Sequence, residues 1–164
     1  MLLQGKKAII TGGTRGIGFS VAEVFLKNGA SVALFGSRQE TVDKALAQLK
    51  SENPAWEVIG MAPDLTDYAA LDAAFSEVEN RFGHIDILVN NAGISAREPL
   101  YEYTPEAFQR IMDLNVTAVF NGCRAAAIRM KAQGVRSSTP ARWSACTASR
   151  PVWGIPPASS LSTA

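Results

Sequence analysis

The stretch 11–18, Thr-Gly-Gly-Thr-Arg-Gly-Ile-Gly, is the part of this sequence whose residue types and spacing are best suited to chemistry. It follows the apolar run 8–10 and precedes a segment with helical periodicity, which predicts a strand, a tight turn and a helix. The N-terminus of such a helix presents free N–H groups and the positive end of its dipole, and both favour a phosphate. The residues predicted to form this phosphate-binding turn are Gly12, Thr14, Arg15, Gly16, Ile17 and Gly18.

The end of the second predicted strand, Phe35-Gly36-Ser37-Arg38, bears on which dinucleotide would fit. An acidic residue about twenty positions past the glycines would select NAD by binding the adenosine ribose. Here a hydroxyl and a guanidinium stand instead, and such a pair can hold a 2′-phosphate. We therefore predict that Ser37 and Arg38, helped by the charge of Arg15, select NADP in preference to NAD. The alternative is that Arg38 is an ordinary solvated residue at a helix start.

Two more turns follow predicted strands. Asp64 and Leu65 come after the third strand, where a carboxylate can accept a hydrogen bond from the adenine amino group. The alternative role for Asp64 is a helix cap. The small residues of 90–93, Asn-Asn-Ala-Gly, follow the fourth strand and would let backbone pass close to a ligand. The alternative is a plain turn, because Asn and Gly favour left-handed backbone.

Strands and helices alternate three times with short connections, which predicts a parallel sheet with helices on both faces and ligands at the carboxyl ends of its strands. In the first helix Ile17, Val21, Val24 and Phe25 share one face. The predicted strands span 7–10, 31–35, 57–61 and 85–89. The predicted helices span 16–27, 39–50, 105–113 and 115–132. A further helix between the third and fourth strands is predicted to be capped by Thr66 or Asp67.

Composition excludes several partner classes. A net charge of +1 over 164 residues gives no indication of nucleic acid or an anionic membrane surface as a partner. No apolar run is long enough to span a bilayer, and the N-terminus lacks the features of a signal peptide. Cys123 and Cys146 are expected to be free thiols in a reducing cytoplasm. His84 is expected to be a solvated loop residue, and no metal site is predicted.

These motifs, together with Asn115, stand in the order seen in the short-chain dehydrogenase/reductase family, and the resemblance covers residues 5–134. The chain is similar to bacterial hydroxysteroid dehydrogenases and 3-oxoacyl-carrier-protein reductases. The resemblance implies a doubly wound, Rossmann-type α/β sheet and hydride transfer between a secondary alcohol and a ketone. It implies that the glycine turn cradles the pyrophosphate and that Asp64 and Leu65 contact adenine. The family is usually homo-oligomeric, a state we do not expect for this chain.

The resemblance also assigns roles near the reaction centre. Asn91, Ala92 and Gly93 would line the cofactor on its adenosine side, and Asn115 would be the catalytic asparagine that holds a proton-relay water. The family also needs a serine followed by Tyr-x-x-x-Lys, in which the tyrosine is the general acid/base. This chain contains no Tyr-x-x-x-Lys, and its acidic residues end at Asp113.

Residues 135–164 differ in composition from the rest and are interpreted as a tail outside the family pattern, either frameshifted or disordered. Codons read one base earlier allow Asn-Thr-Ser-Ser-Met-Val over 139–144 and Tyr-Pro-x-Ser-Lys over 155–159. A divergent tail in its own frame is the alternative. Both interpretations of residues 135–164 predict a sheet that is incomplete on its C-terminal side. It also predicts an exposed helix face carrying Val119, Phe120 and Ala126.

Overall fold

The computed structural model describes residues 1–95 and 99–132, and these form a four-stranded parallel sheet in the order β3-β2-β1-β4. The strands are β1 (Lys7–Thr11), β2 (Ser31–Phe35), β3 (Val58–Met61) and β4 (Ile87–Val89). The helices are α1 (Gly16–Lys27), α2 (Gln39–Glu52), α3 (Tyr68–Phe82), α4 (Pro105–Met112) and α5 (Ala118–Ala132). The predicted tail and Cys146 lie outside the described residues.

Two apolar clusters cover opposite faces of the sheet, because successive strand residues point to opposite sides. Ile9, Ala33 and Phe35 pack with α3 and α5. The residues that alternate with them, such as Ile10 and Leu34, pack with α1 and α2. The predicted doubly wound α/β sheet is therefore confirmed over the described residues, with β1 and β2 buried on both faces as continuous apolar runs.

The buried face of α1 differs in part from the expected one. Of the four residues predicted to share it, Ile17 and Val24 are 61% and 55% exposed, whereas Val21 and Phe25 are partly buried against the core. The fully buried residues of the helix are Gly18, Ala22 and Leu26. These three recur every fourth residue, so they also lie along one side of the helix. The small size of Gly18 and Ala22 allows the helix to approach the strands closely, and this packing, rather than the largest side chains, sets the orientation of α1.

The segment after β4 also departs from the predicted pair of helices. Thr104 caps α4 as expected, accepting a hydrogen bond from the N–H of Ala107 at 3.2 Å. However, α4 continues through a π turn (Asp113–Thr117) into α5 without a break. Of the side chains expected to be exposed on α5, Phe120 is exposed, but Ala126 is buried against the α3 cluster. The described residues contain no helix that is long and apolar enough to cross a membrane.

Candidate dinucleotide-binding site

The carboxyl ends of all four strands lie along one edge of the sheet and bring the predicted site residues to a common region. In the register of the parallel pairs, Thr11 lies beside Phe35 and Ile10 lies beside Val89. The glycine turn after β1 is therefore flanked by the end of β2 on one side and by the turn after β4 on the other. The end of β3 lies beyond β2.

The turn after β1 requires glycine at several positions for different reasons. Gly12 and Gly16 adopt φ values of +64° and +56°, which L side chains rarely adopt. A Cβ on Gly18 would lie 2.3 Å from the carbonyl oxygen of Gly12, so the first turn of α1 packs directly on the preceding loop. Nothing lies within 4 Å of a Cβ built on the exposed Gly16, which leaves space beside the helix N-terminus.

The turn after β4 is tied to the turn after β1 by four hydrogen bonds. The Thr11 hydroxyl accepts from the N–H groups of Asn91 and Ala92 at 3.0 and 3.1 Å. The Asn91 amide Nδ2 donates to the carbonyl oxygens of Thr11 and Gly12 at 3.1 and 3.0 Å. The side chain of Asn91 thus fixes the backbone of the glycine turn, and its predicted contact with a cofactor stays a prediction. Thr11 was not among the predicted site residues, although its position at the strand end was a usable signal.

The end of β2 contacts the glycine turn directly. A Cβ on Gly36 would lie 2.7 Å from Cγ2 of Thr14, so the two loops touch there. Ser37 and Arg38 follow and are exposed, as is Arg15 on the facing loop. Neither guanidinium forms an ion pair within the described residues. The structure thus brings two uncompensated cations and one hydroxyl to adjacent strand ends, an arrangement suited to a phosphate group.

Asp64, beyond the end of β3, holds a tight turn rather than capping α3. Its Oδ1 accepts hydrogen bonds from the hydroxyl and the N–H of Thr66 at 2.7 and 2.9 Å. These bonds lower the pKa of the Asp64 carboxyl below its ordinary value, so it is ionised at neutral pH. The cap of α3 is Asp67, which accepts from the N–H of Ala69. Leu65 packs against the core of the α3 side.

Asn115 lies in the π turn and pairs with the backbone of the loop after β4. Its Oδ1 accepts from the N–H of Ile94 at 2.9 Å, and its Nδ2 donates to the carbonyl oxygen of Ile94 at 2.8 Å. A Cβ on Gly93 would lie 3.1 Å from the same Oδ1. This pairing fixes the loop against the helix at a π turn, a feature often found at functional sites. The predicted relay role of Asn115 stays a prediction.

These features define a class of protein. A parallel sheet carries a glycine turn and an open helix N-terminus at its carboxyl edge, and the loops of neighbouring strands bear cations and amides. This is the arrangement by which α/β proteins bind dinucleotides. The glycine turn fits a pyrophosphate. A Cβ at Gly12 or Gly18 would clash with neighbouring atoms, while space is left beside Gly16.

The comparisons with known proteins identify the family. The family model described as short chain dehydrogenase matches residues 6–137, and the chain belongs to that family. A 3alpha-hydroxysteroid dehydrogenase of Mediterraneibacter gnavus is 58% identical over 134 residues, which cover 82% of this chain and 54% of the relative. An NADP-dependent (R)-specific alcohol dehydrogenase of Lentilactobacillus kefiri is 35% identical, with coverages of 83% and 53%.

Solved structures agree with this assignment. A short-chain type dehydrogenase/reductase from Mycobacterium marinum superposes with a TM-score of 0.77 at 33% identity, covering 81% of this chain and 53% of that one. LigO from Sphingobium sp. strain SYK-6, in its apo form, gives 0.77 at 34% identity, covering 82% and 50%. The chain thus spans about half the length of the curated relatives it matches.

Proposed function

We propose that this chain supplies the NADP(H)-binding half of an oxidoreductase that interconverts a secondary alcohol and a ketone by hydride transfer. The observation that carries the proposal is the pair of guanidinium groups, Arg15 and Arg38, on loops that touch at Thr14 and Gly36. Position 37 holds a serine and no carboxylate, and a carboxylate there would select NAD by accepting hydrogen bonds from the ribose hydroxyls. The NADP-dependent relative of Lentilactobacillus kefiri supports the same cofactor.

The residues have distinct roles in this proposal. The N–H groups at Gly16 and Gly18 would receive the pyrophosphate, since the N-terminus of α1 opens there. Ser37 and Arg38 would hold the 2′-phosphate, and the ionised Asp64 would accept from the adenine amino group. The bound cofactor supplies the hydride. Asn115 and Asn91 keep the loop after β4 and the glycine turn in register with each other.

The proposed substrate class is a hydroxysteroid or a 3-oxoacyl thioester. It is supported by the names of two relatives, the 3alpha-hydroxysteroid dehydrogenase already described and a 3-oxoacyl-[acyl-carrier-protein] reductase of Chlamydia muridarum at 35% identity. Both classes present a ketone or secondary alcohol, so both are consistent with one hydride-transfer chemistry.

A second candidate follows from the sequence itself. No Tyr-x-x-x-Lys occurs in the chain, and that pair would move the proton that accompanies the hydride. We therefore propose as the alternative that the chain alone is a non-catalytic NADP-binding module, or a truncated product without function. The oxidoreductase and the module share the cofactor site and differ in turnover, whereas a product without function would bind no cofactor.

Titration of the purified chain with NADPH and NADH, followed by a ketone-dependent NADPH oxidation assay, tests both candidates. We expect tighter binding of NADPH, and we expect Arg38→Ala to weaken it by about tenfold while sparing NADH, because one charge-assisted contact is lost. Arg81→Ala, at the far end of α3, is the matched control. Binding without turnover favours the module, and turnover excludes it. Equal affinity for the two cofactors in both variants would contradict the assignment of Arg38.

A further inference from the structure

We propose that Gly36 is a positioning residue for cofactor selection. It lets the loop that carries Arg38 close against the loop that carries Arg15, so that both guanidinium groups reach one 2′-phosphate. The inference rests on the proposed function, because it concerns the same phosphate site. Gly36 has no side chain with which to bind a phosphate. It is buried directly after β2, between the glycine turn and the first turn of α2, and it acts through these neighbours.

The backbone of Gly36 does not by itself require glycine. Its φ value lies outside the left-handed region that Gly12 and Gly16 occupy, and residues with side chains adopt such values without strain. The backbone is also held in place, because the Gly36 N–H donates to the carbonyl oxygen of Met61 on β3 at 3.0 Å. The reason for glycine at this position therefore lies in the space around it.

Two side chains occupy the space beside the Cα of Gly36. A Cβ there would lie 2.6 Å from Cγ2 of Val42 on α2 and 2.7 Å from Cγ2 of Thr14 in the glycine turn. Both distances are far shorter than an ordinary van der Waals contact. Because valine and threonine are β-branched, neither methyl group can rotate away freely. Any side chain at position 36 would therefore displace one of these two neighbours.

The surroundings of the two neighbours decide which one moves. Val42 is fully buried and belongs to a regular helix, whereas Thr14 is half-buried in a loop. A loop yields more readily than a packed helix, so we expect the glycine turn to shift. That shift would carry Arg15 away from Arg38. The attraction of two cations for one phosphate falls with distance, so the 2′-phosphate would lose the most affinity.

The alternative is that Gly36 only allows α2 to pack against the sheet. Gly60 on β3 offers the matched comparison, because its Cβ would lie 2.4 Å from Cγ1 of the same Val42. The next nearest atoms belong to Leu46, which is also on α2. Gly60→Ala therefore presses on α2 rather than on the glycine turn. The two roles of Gly36 are separated by comparing the two alanine variants.

The test titrates the full chain with adenosine 2′,5′-bisphosphate and with 5′-AMP, which differ only in the 2′-phosphate and need no nicotinamide site. We expect calorimetry to show that the unmodified chain prefers the bisphosphate by about tenfold or more. Gly36→Ala should reduce that preference by about fivefold or more, because the two cations no longer reach one phosphate. Gly60→Ala should keep the preference within about twofold, although both variants should unfold at lower temperature.

A double-mutant cycle assigns the effect to Thr14. Thr14→Ser removes Cγ2 and keeps the hydroxyl, so in that background Gly36→Ala should change the preference by less than about twofold. Circular dichroism checks that each variant folds. If Gly36→Ala does not fold alone, the same cycle is measured in the Val42→Ala chain, which lacks the other close methyl group.

Three outcomes would overturn this role of Gly36. They are a Gly36→Ala variant that keeps the full preference, a Gly60→Ala variant that loses as much of it, and a loss that Thr14→Ser does not relieve. Each of them leaves the proposed NADP(H) site standing, because the unmodified chain still prefers the bisphosphate. An unmodified chain that binds the two probes equally would contradict the proposed cofactor and the role of Gly36 together.

Discussion

The β2 flank and the β4 flank of the sheet differ in how completely their apolar side chains are buried. At β2 every side chain is buried, and α2 and α3 each bury a regular apolar stripe. At β4 no side chain is fully buried, and α4 buries none of its residues although its apolar and polar residues lie on separate faces. Within the described residues the β2 side of the sheet therefore has its packing partners, whereas the β4 side carries apolar surfaces that are not covered.

The polar contacts follow the same division. The glycine turn is held by short-range backbone geometry and by Thr11 and Asn91. On the β4 flank, the polar contacts between α5 and α3 come chiefly from one side chain, Arg129, which donates to Asp72, Ser76 and Glu79. Four changes test whether the two flanks really differ in this way.

The largest effect is expected from Gly18→Val. Its added atoms would overlap the Gly12 carbonyl and the Asn91 amide, which the backbone cannot avoid without opening the turn. We expect a loss of about 3 kcal/mol or more in the free energy of unfolding, with loss of NADPH binding. Urea denaturation and calorimetry measure both. Ser20→Val on the exposed side of the same helix should change the free energy of unfolding by less than about 0.5 kcal/mol, because serine and valine have similar helix propensities. If the two variants behaved alike, the close packing of α1 would not matter.

Arg129→Ala should produce the next largest effect and should act on the β4 flank. The guanidinium is 10% exposed, donates at 2.7–2.8 Å to two carboxylates, and lies 5.5 Å from the Phe75 ring centroid. We expect a loss of about 2–3 kcal/mol, reduced from the fully buried case because the carboxylates stay partly solvated. Amide exchange should quicken in α5 and not in β1. Arg124→Ala, which removes an exposed contact with Tyr68, is the matched control and should cost under about 1 kcal/mol. Amide exchange that quickened equally in α5 and β1 would contradict the division into two flanks.

Thr11→Val tests the link between the two flanks. The change keeps the shape of the side chain and removes the acceptor of two N–H groups, which should cost about 1–2 kcal/mol. Thr11→Ser keeps the hydroxyl and should restore most of that loss. Thermal unfolding measures the difference, and amide exchange at Asn91 and Ala92 localises it. If serine were as damaging as valine, the methyl group rather than the hydrogen bonds would be responsible.

The smallest effect on the free energy of unfolding is expected from lowering the pH. Hydrogen bonds from the Lys7 ammonium and then the Ser31 hydroxyl lower the pKa of Glu57 below its ordinary 4.5, and the contacts of Asp64 act in the same direction. Because the folded pKa is the lower one, the stability from these carboxylates is complete above the ordinary value. It is lost as the pH falls through the folded value. The loss should stay below about 1 kcal/mol per group, since both are exposed.

Thermal unfolding between pH 7 and pH 3 measures this effect, with Glu57→Gln as the comparison. The variant should be less stable near neutral pH and should show a shallower decline below pH 4.5. Parallel curves of stability against pH for the two proteins would show that Glu57 does not contribute to the decline.

Sequence reasoning succeeded where a signal is local. The bounds of α1 and β2 were predicted without error, because glycine, Asn28-Gly29 and continuous apolar runs act within a few residues. It failed where the partner is distant. Of the four residues assigned to the buried face of α1, Ile17 and Val24 are exposed. The two helices after Thr104 were separated at Asn115, whose partner is Ile94.

The sequence by itself therefore determined the order of strands and helices, the glycine turn at the end of β1, and the family. The reason is that backbone conformation at glycines, caps and periodic segments is set by near neighbours. Only the tertiary structure decided which face of α1 is buried, that Asn91 braces the glycine turn, and that Arg129 joins α5 to α3. Those features depend on residues far apart in sequence, which the folded sheet brings together.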